Sequence, residues 1–102
     1  MLEVYYLLIK DGWTPYPPEP RAPGTKATKR YVRWVRQWPH GTDVTLYQEP
    51  AGYLAASGKI RADDPRRFSV DYAVPEHDID YVTTELAAFT ARVTETDQAT
   101  GR

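Results

Sequence analysis

Cysteine is absent from the 102 residues, methionine occurs once and histidine twice. Without cysteine there is no disulfide framework, no thiolate metal site and no cysteine nucleophile. No apolar run approaches the roughly 20 residues that cross a bilayer, so a membrane role is not expected. The apolar start, Met1 to Ile9, runs into Lys10-Asp11-Gly12-Trp13 rather than a small-residue cleavage site, and therefore reads as part of the fold rather than as a signal peptide. A cytoplasmic location follows as the expectation. A chain of this length hides about 65% of its unfolded surface, enough for one modest core and no deep cavity.

What the chain has in quantity is proline and aromatic side chains: nine Pro, eight Tyr, three Trp and two Phe. Pro15, Pro17, Pro18, Pro20 and Pro23 crowd one stretch, whereas Pro39, Pro50, Pro65 and Pro75 are spread along the rest. Proline has no backbone N–H and cannot sit in a central strand, so each of the four spread residues is expected to mark an element boundary. The segments between them read as strands. In 68–74, Phe68, Val70, Tyr72 and Val74 alternate with Ser69 and Asp71, the period of a half-buried strand. The segment 53–62 alternates likewise, although Pro50 opening a short helix closed by Gly58 is an acceptable rival. Glu49-Pro50-Ala51-Gly52 favours the strand, because it has the residues of a type I turn. Val44–Glu49 and Arg30–Trp38 extend the meander. Leu2–Ile9, apolar on both faces, reads as a central strand.

From Glu76 to Glu95 the spacing changes. Ile79, Val82, Leu86, Phe89 and Val93 fall three or four residues apart, one apolar stripe of a helix. Acidic residues at 76, 78 and 80 and Arg92 near the end suit the macrodipole. The expected fold is α+β: about five strands in a mostly antiparallel meander, covered on one face by a single C-terminal helix. Residues 1–95 form the expected domain, with a Pro-rich loop at 12–28 and a frayed tail at 96–102.

The formal net charge of −1 hides an asymmetry, since residues 1–67 sum to +4 and residues 68–102 to −5. Residues 21–40 contain six basic groups and no acidic one, interleaved with Tyr31, Trp34 and Trp38. Tyr, Trp and Arg are the types enriched at interface hot spots. The expected function is therefore a stand-alone, non-enzymatic protein-binding module. Inhibitors, accessory factors and immunity-type antidotes of phages and mobile elements are of that kind. Its expected interface comprises Trp13, Tyr16, Tyr31, Arg33, Trp34, Arg36, Trp38, Tyr47, Tyr53 and Arg61, together with the Pro-rich loop. A homodimer would use the same surface.

Two alternatives draw on overlapping residues. Basic side chains tracking phosphates and rings stacking bases would bind RNA or single-stranded DNA, through Lys26, Lys29, Arg30, Arg33, Trp34, Arg36, Lys59, Arg61 and Arg67. A sequence pI near 6.1 counts against this. A metal-independent ribonuclease-like toxin would need Arg, Lys, Tyr and a carboxylate or His around a charged transition state, but no motif fixes such a geometry. His77-Asp78-Ile79-Asp80 does not converge on one ion, and helix capping explains its carboxylates. No cofactor and no metal are expected.

Overall fold

The computed structural model describes residues 2–17, 31–56 and 60–100. Its elements are α1 (Leu2–Lys10), β1 (Thr14–Tyr16), β2 (Val32–Gln37), β3 (Asp43–Glu49), β4 (Tyr53–Ala56), β5 (Ser69–Asp71) and α2 (Ile79–Thr100). The strands form one five-stranded sheet in sequence order, and every neighbouring pair is antiparallel. The α+β meander with its C-terminal helix is thus present. No described helix is long and apolar enough to cross a membrane.

The expected first strand is instead a helix. An apolar run on both faces fits a buried strand and a packed helix equally, so the arbiter is what ends it. Gly12, at φ 95°, takes a left-handed conformation. Its N–H donates to the Ile9 carbonyl (3.1 Å) and the Trp13 N–H to the Leu8 carbonyl (3.0 Å). This is the Schellman termination of a helix, with Leu8 and Trp13 supplying the apolar contact that goes with it. Glu3 in the first turn and Lys10 in the last match the dipole.

The fifth strand comes from within the expected Pro-rich loop, where Thr14–Tyr16 pairs with β2. The remainder of that loop, from residue 18, lies outside the described residues. β4 spans Tyr53–Ala56 of the expected 53–62; residues 57–59 lie outside the described residues, and turns follow at 61–67. There Asp64 Oδ1 accepts the Arg66 backbone N–H at 2.8 Å, and Asp64 and Arg67 N–H groups close turns on Arg61 and Asp64 carbonyls. β5 is shorter than 68–74 because Asp71 Oδ1 takes the Ala73 N–H (3.0 Å) and bends the chain away.

α2 starts at Ile79, three residues later than Glu76. Asp78 is its N-cap: its carboxylate accepts the Tyr81 N–H at 3.0 Å and its carbonyl accepts that of Val82. The helix runs through Thr100, past the expected end at 95, and its buried stripe is Val82, Leu86, Phe89, Val93 and Asp97. The expected frayed tail is thus helical as far as residue 100.

All buried strand residues share one face. Trp34, Val44, Leu46, Leu54 and Val70 form a single cluster with Val4 and Leu8 of α1 and the apolar stripe of α2. Phe89 stacks on Phe68 at 4.7 Å, Tyr5 meets Trp34 edge-on at 4.9 Å, and Trp38 Nε1 donates to Thr94 Oγ1 at 2.9 Å. Two helices, not one, pack against this face.

Candidate interaction face and its edge cleft

Alternation along β2 sends successive side chains to opposite sides of the sheet, so the segment cannot present all of its aromatic and basic residues together. Trp34 and Trp38 point into the core at 0% and 6% exposure, and Trp13 joins them at 3%. These three were expected at the interface and are interior residues. Burial of an indole needs an acceptor for its N–H, and each has one. Trp13 Nε1 donates to Asp11 Oδ2 (2.9 Å), Trp34 Nε1 to Gln48 Oε1 (2.9 Å) and Trp38 Nε1 to Thr94 Oγ1.

Arg36 also lies on the inward side, opposite Val44. Its Nη1 donates to the Asp11 carbonyl (2.6 Å) and to Asp11 Oδ2 (3.2 Å), and its guanidinium sits 4.5 Å from the Trp38 ring centroid. Asp11 Oδ2 takes a further bond from Thr90 Oγ1 at 3.0 Å. One carboxylate therefore joins the end of α1, β2 and α2.

The outward face is formed by the alternate residues. Register aligns Tyr16 with Arg33 and Arg33 with Tyr47, and beside this row Thr14 aligns with Val35 and Val35 with Thr45. Arg33 lies over the Tyr16 ring at 5.1 Å, and Tyr31 meets Tyr47 edge-to-face at 4.7 Å. Tyr16, Tyr31 and Tyr53 are 47%, 41% and 38% exposed. Arg33 is the only cation on this face in the five strands, against Asp43, Glu49 and Asp71.

The other expected site residues disperse. Arg61 pairs with Asp63 at 3.1 Å, both strongly exposed, and Arg67 Nη1 donates to the Ile60 carbonyl at 2.9 Å. Both are thereby tied to the loop between β4 and β5. Lys26, Lys29, Arg30 and Lys59 lie outside the described residues. Of the expected sets, Tyr16, Tyr31, Arg33, Tyr47 and Tyr53 come together on one face.

Among the described residues, clefts open at the sheet margins. One, of about 330 Å³, is lined by residues including Asp43, Asp64, Arg66 and Thr96. Its arginine is paired within the cleft wall, because Arg66 Nε and Nη2 both reach the Asp64 carboxylate (3.1 and 2.9 Å). That pairing holds the Asp64 carboxyl down at about 2. Another, of about 210 Å³, is lined by Gly12, Thr14, Tyr16, Val35, Arg36 and Gln37.

The two histidines are engaged structurally. His40 is engaged through its backbone, whose N–H donates to Asp97 Oδ2 at 3.0 Å. His77 Nδ1 lies 2.7 Å from the Asp71 carbonyl, which accepts only, so the proton is on Nδ1; the ring stacks on Tyr81 at 4.0 Å. Among the described residues no group of His, Asp and Glu is arranged to hold a metal.

Sequence reasoning missed Asp97 and the Asp11–Arg36 pair. Asp97 was signalled by position, since it continues the buried stripe four residues after Val93. Burial raises its pKa, but backbone N–H donors from His40 and Thr42 outweigh that and the carboxyl is lowered overall. No such signal marks Asp11 and Arg36, which are 25 residues apart. Compared with known protein families, with curated proteins and with solved structures, the chain matches none.

Proposed function

We propose that this chain is a protein-binding module that docks its partner on the outward face of the sheet. The observation that carries this reading is the cross-strand row Tyr16–Arg33–Tyr47, flanked by Tyr31 and Tyr53. Tyrosine and arginine supply large contact area with polar tips, and they dominate interface energetics. Held on strands and braced by ring contacts, these side chains lose little further freedom on binding.

Charge separates this reading from the nucleic-acid alternative. A phosphate backbone is held by several cations, and the described strands offer Arg33 alone on this face beside three carboxylates. Edge geometry separates face docking from strand addition. β1 and β5 are the edges, each only three residues long, and β1 contains Pro15; short edges and proline both discourage pairing with a further strand.

The test is capture of the partner from host lysate by the immobilised chain, comparing wild type with an Arg33→Glu, Tyr47→Ala double variant. Both side chains lie off the core, so circular dichroism is expected to be unchanged while capture is lost. Arg61→Glu, in the loop after β4, is expected to capture normally. Equal recovery by the double variant would overturn the assignment of the face. Binding of single-stranded DNA or RNA that weakens steeply above about 50–100 mM salt would replace the protein partner with a nucleic acid.

A further inference from the structure

We propose that the cleft beside β1 and β2 takes one carboxylate of the docked partner, an Asp or Glu side chain, against the free edge of the Arg36 guanidinium. The inference rests on the protein-binding reading and names the chemistry by which the partner is anchored. Arg36 is held before any ligand arrives, by the Asp11 carbonyl and carboxylate through Nη1 and by the face of Trp38. Its Nε and Nη2 have no acceptor among the described residues, and its side chain keeps 25% exposure. An arginine fork fixed on one side and open on the other matches a planar carboxylate, which accepts two parallel N–H bonds.

The cleft wall agrees. Gly12 has no side chain to cover the guanidinium: a Cβ placed there would lie 3.6 Å from Arg36 Nε and 3.7 Å from Cζ. Thr14, Tyr16 and Gln37 are the other polar residues lining it, and among the described residues no Asp or Glu does. Asp11 neutralises one positive charge through Arg36, and Arg33, lying over the Tyr16 ring that forms one wall, restores one. A net single positive charge suits a monoanion better than a phosphate dianion. At about 210 Å³ the cleft admits one side-chain head, below the roughly 300–1,000 Å³ of pockets that enclose whole small molecules. Tyr16 belongs both to the cleft and to the tyrosine row, so the cleft adjoins the outward face.

The test is titration of the isotopically labelled protein with an acetylated, amidated tetraglutamate peptide, with the tetraglutamine peptide and inorganic phosphate as separate arms. Saturable shifts are expected at the Arg36 Nε–H and Gln37 side-chain amide, with a Kd of about 1 mM. Gln37→Glu, an exposed change that leaves the core alone, is expected to weaken binding by about tenfold, the size of one charged interaction. Arg36→Lys keeps a cation for Asp11 and removes the fork, and is expected to abolish the Gln37 shift. The proposal is overturned if tetraglutamate moves neither signal up to about 10 mM, or if tetraglutamine moves them equally. It is also overturned if phosphate binds more tightly than tetraglutamate, or if Gln37→Glu binds unchanged. Tyr47 is outside the cleft, so loss of capture by Tyr47→Ala with no peptide binding would retain the face and remove the cleft.

Discussion

Trp34 carries an indole N–H into a site with no exposure to water, and Gln48 is buried beside it to accept that proton. Gln48 Nε2 in turn donates to the Tyr72 hydroxyl at 3.0 Å, so a three-residue polar chain threads the core with both amide groups used. Such a chain is costly to interrupt, because the orphaned donor keeps its desolvation penalty. Gln48→Leu is expected to destabilise by about 1–3 kcal/mol in urea unfolding, although leucine is apolar and similar in size. Trp34→Ala is expected to cost about 3–5 kcal/mol, a large share of the roughly 5–15 kcal/mol that a domain has. For that reason the interface test uses Arg33 and Tyr47, whose loss leaves the core intact. Room for a side chain distinguishes two glycines. Both Gly12 and Gly52 have positive φ, but a Cβ at Gly52 would come within 2.8 Å of the Ala73 Cβ, whereas at Gly12 the nearest atom is at 3.6 Å. Gly52→Ala is therefore expected to lower the melting temperature more than Gly12→Ala.

At the scale of elements, the last turns of α2 matter because of what they hold. A carboxylate near a helix C-terminus is unfavourable to the macrodipole, yet Asp97 is buried there. Its two oxygens accept the backbone N–H groups of His40 and Thr42 at 3.0 and 3.1 Å, which pins the β2–β3 turn to the helix. Asp97→Ala is expected to accelerate hydrogen exchange at the His40 and Thr42 amides before exchange rises elsewhere. A chain ending at Glu95 is expected to be less stable than the full chain. The strands and α2 were legible in the sequence because period two and period 3.6 stand out where one face is buried. β2, β4 and β5 lie within the expected segments and β3 starts one residue before its own, while the α2 stripe loses only Ile79, which is 37% exposed. α1 was not legible by period, because an element apolar on every side has none. Its signal was punctuation: Gly12 after Lys10, the pattern of a helix stop.

For the whole molecule, pH dependence follows from three groups. The folded-state pKa values of Asp97 and Asp64 are lowered from 3.8, that of Asp64 to about 2. A lowered carboxyl stabilises fully above its unfolded value and loses that contribution as pH falls through the folded one. Stability is therefore expected to decline as pH falls below about 4, mainly through Asp97, because Asp64 lies in an exposed loop and contributes little. Asp97→Asn is expected to flatten that decline while lowering stability at neutral pH, because an amide has one acceptor oxygen for two donors. Tyr72 has the opposite sense. Burial raises its phenol above 10.0, so the unfolded chain ionises first and stability falls as pH rises past that value. Tyr72→Phe is expected to remove this alkaline limb.

The sequence by itself determined the class of the fold. The alternation, the proline boundaries and the α2 stripe are local patterns, and local patterns specify strands, turns and helices. It also determined which residue types were available for an interface. Only the tertiary structure decided which of them share a surface. β2 and the residues flanking it divide their aromatic and basic side chains between two faces, with Trp34, Arg36 and Trp38 inward and Tyr31 and Arg33 outward. That division depends on which side the helices cover, and no period within β2 encodes it. The same holds for Asp11 with Arg36 and for Asp97 with the β2–β3 turn: each bond joins residues distant in the chain, and only packing brings them within reach.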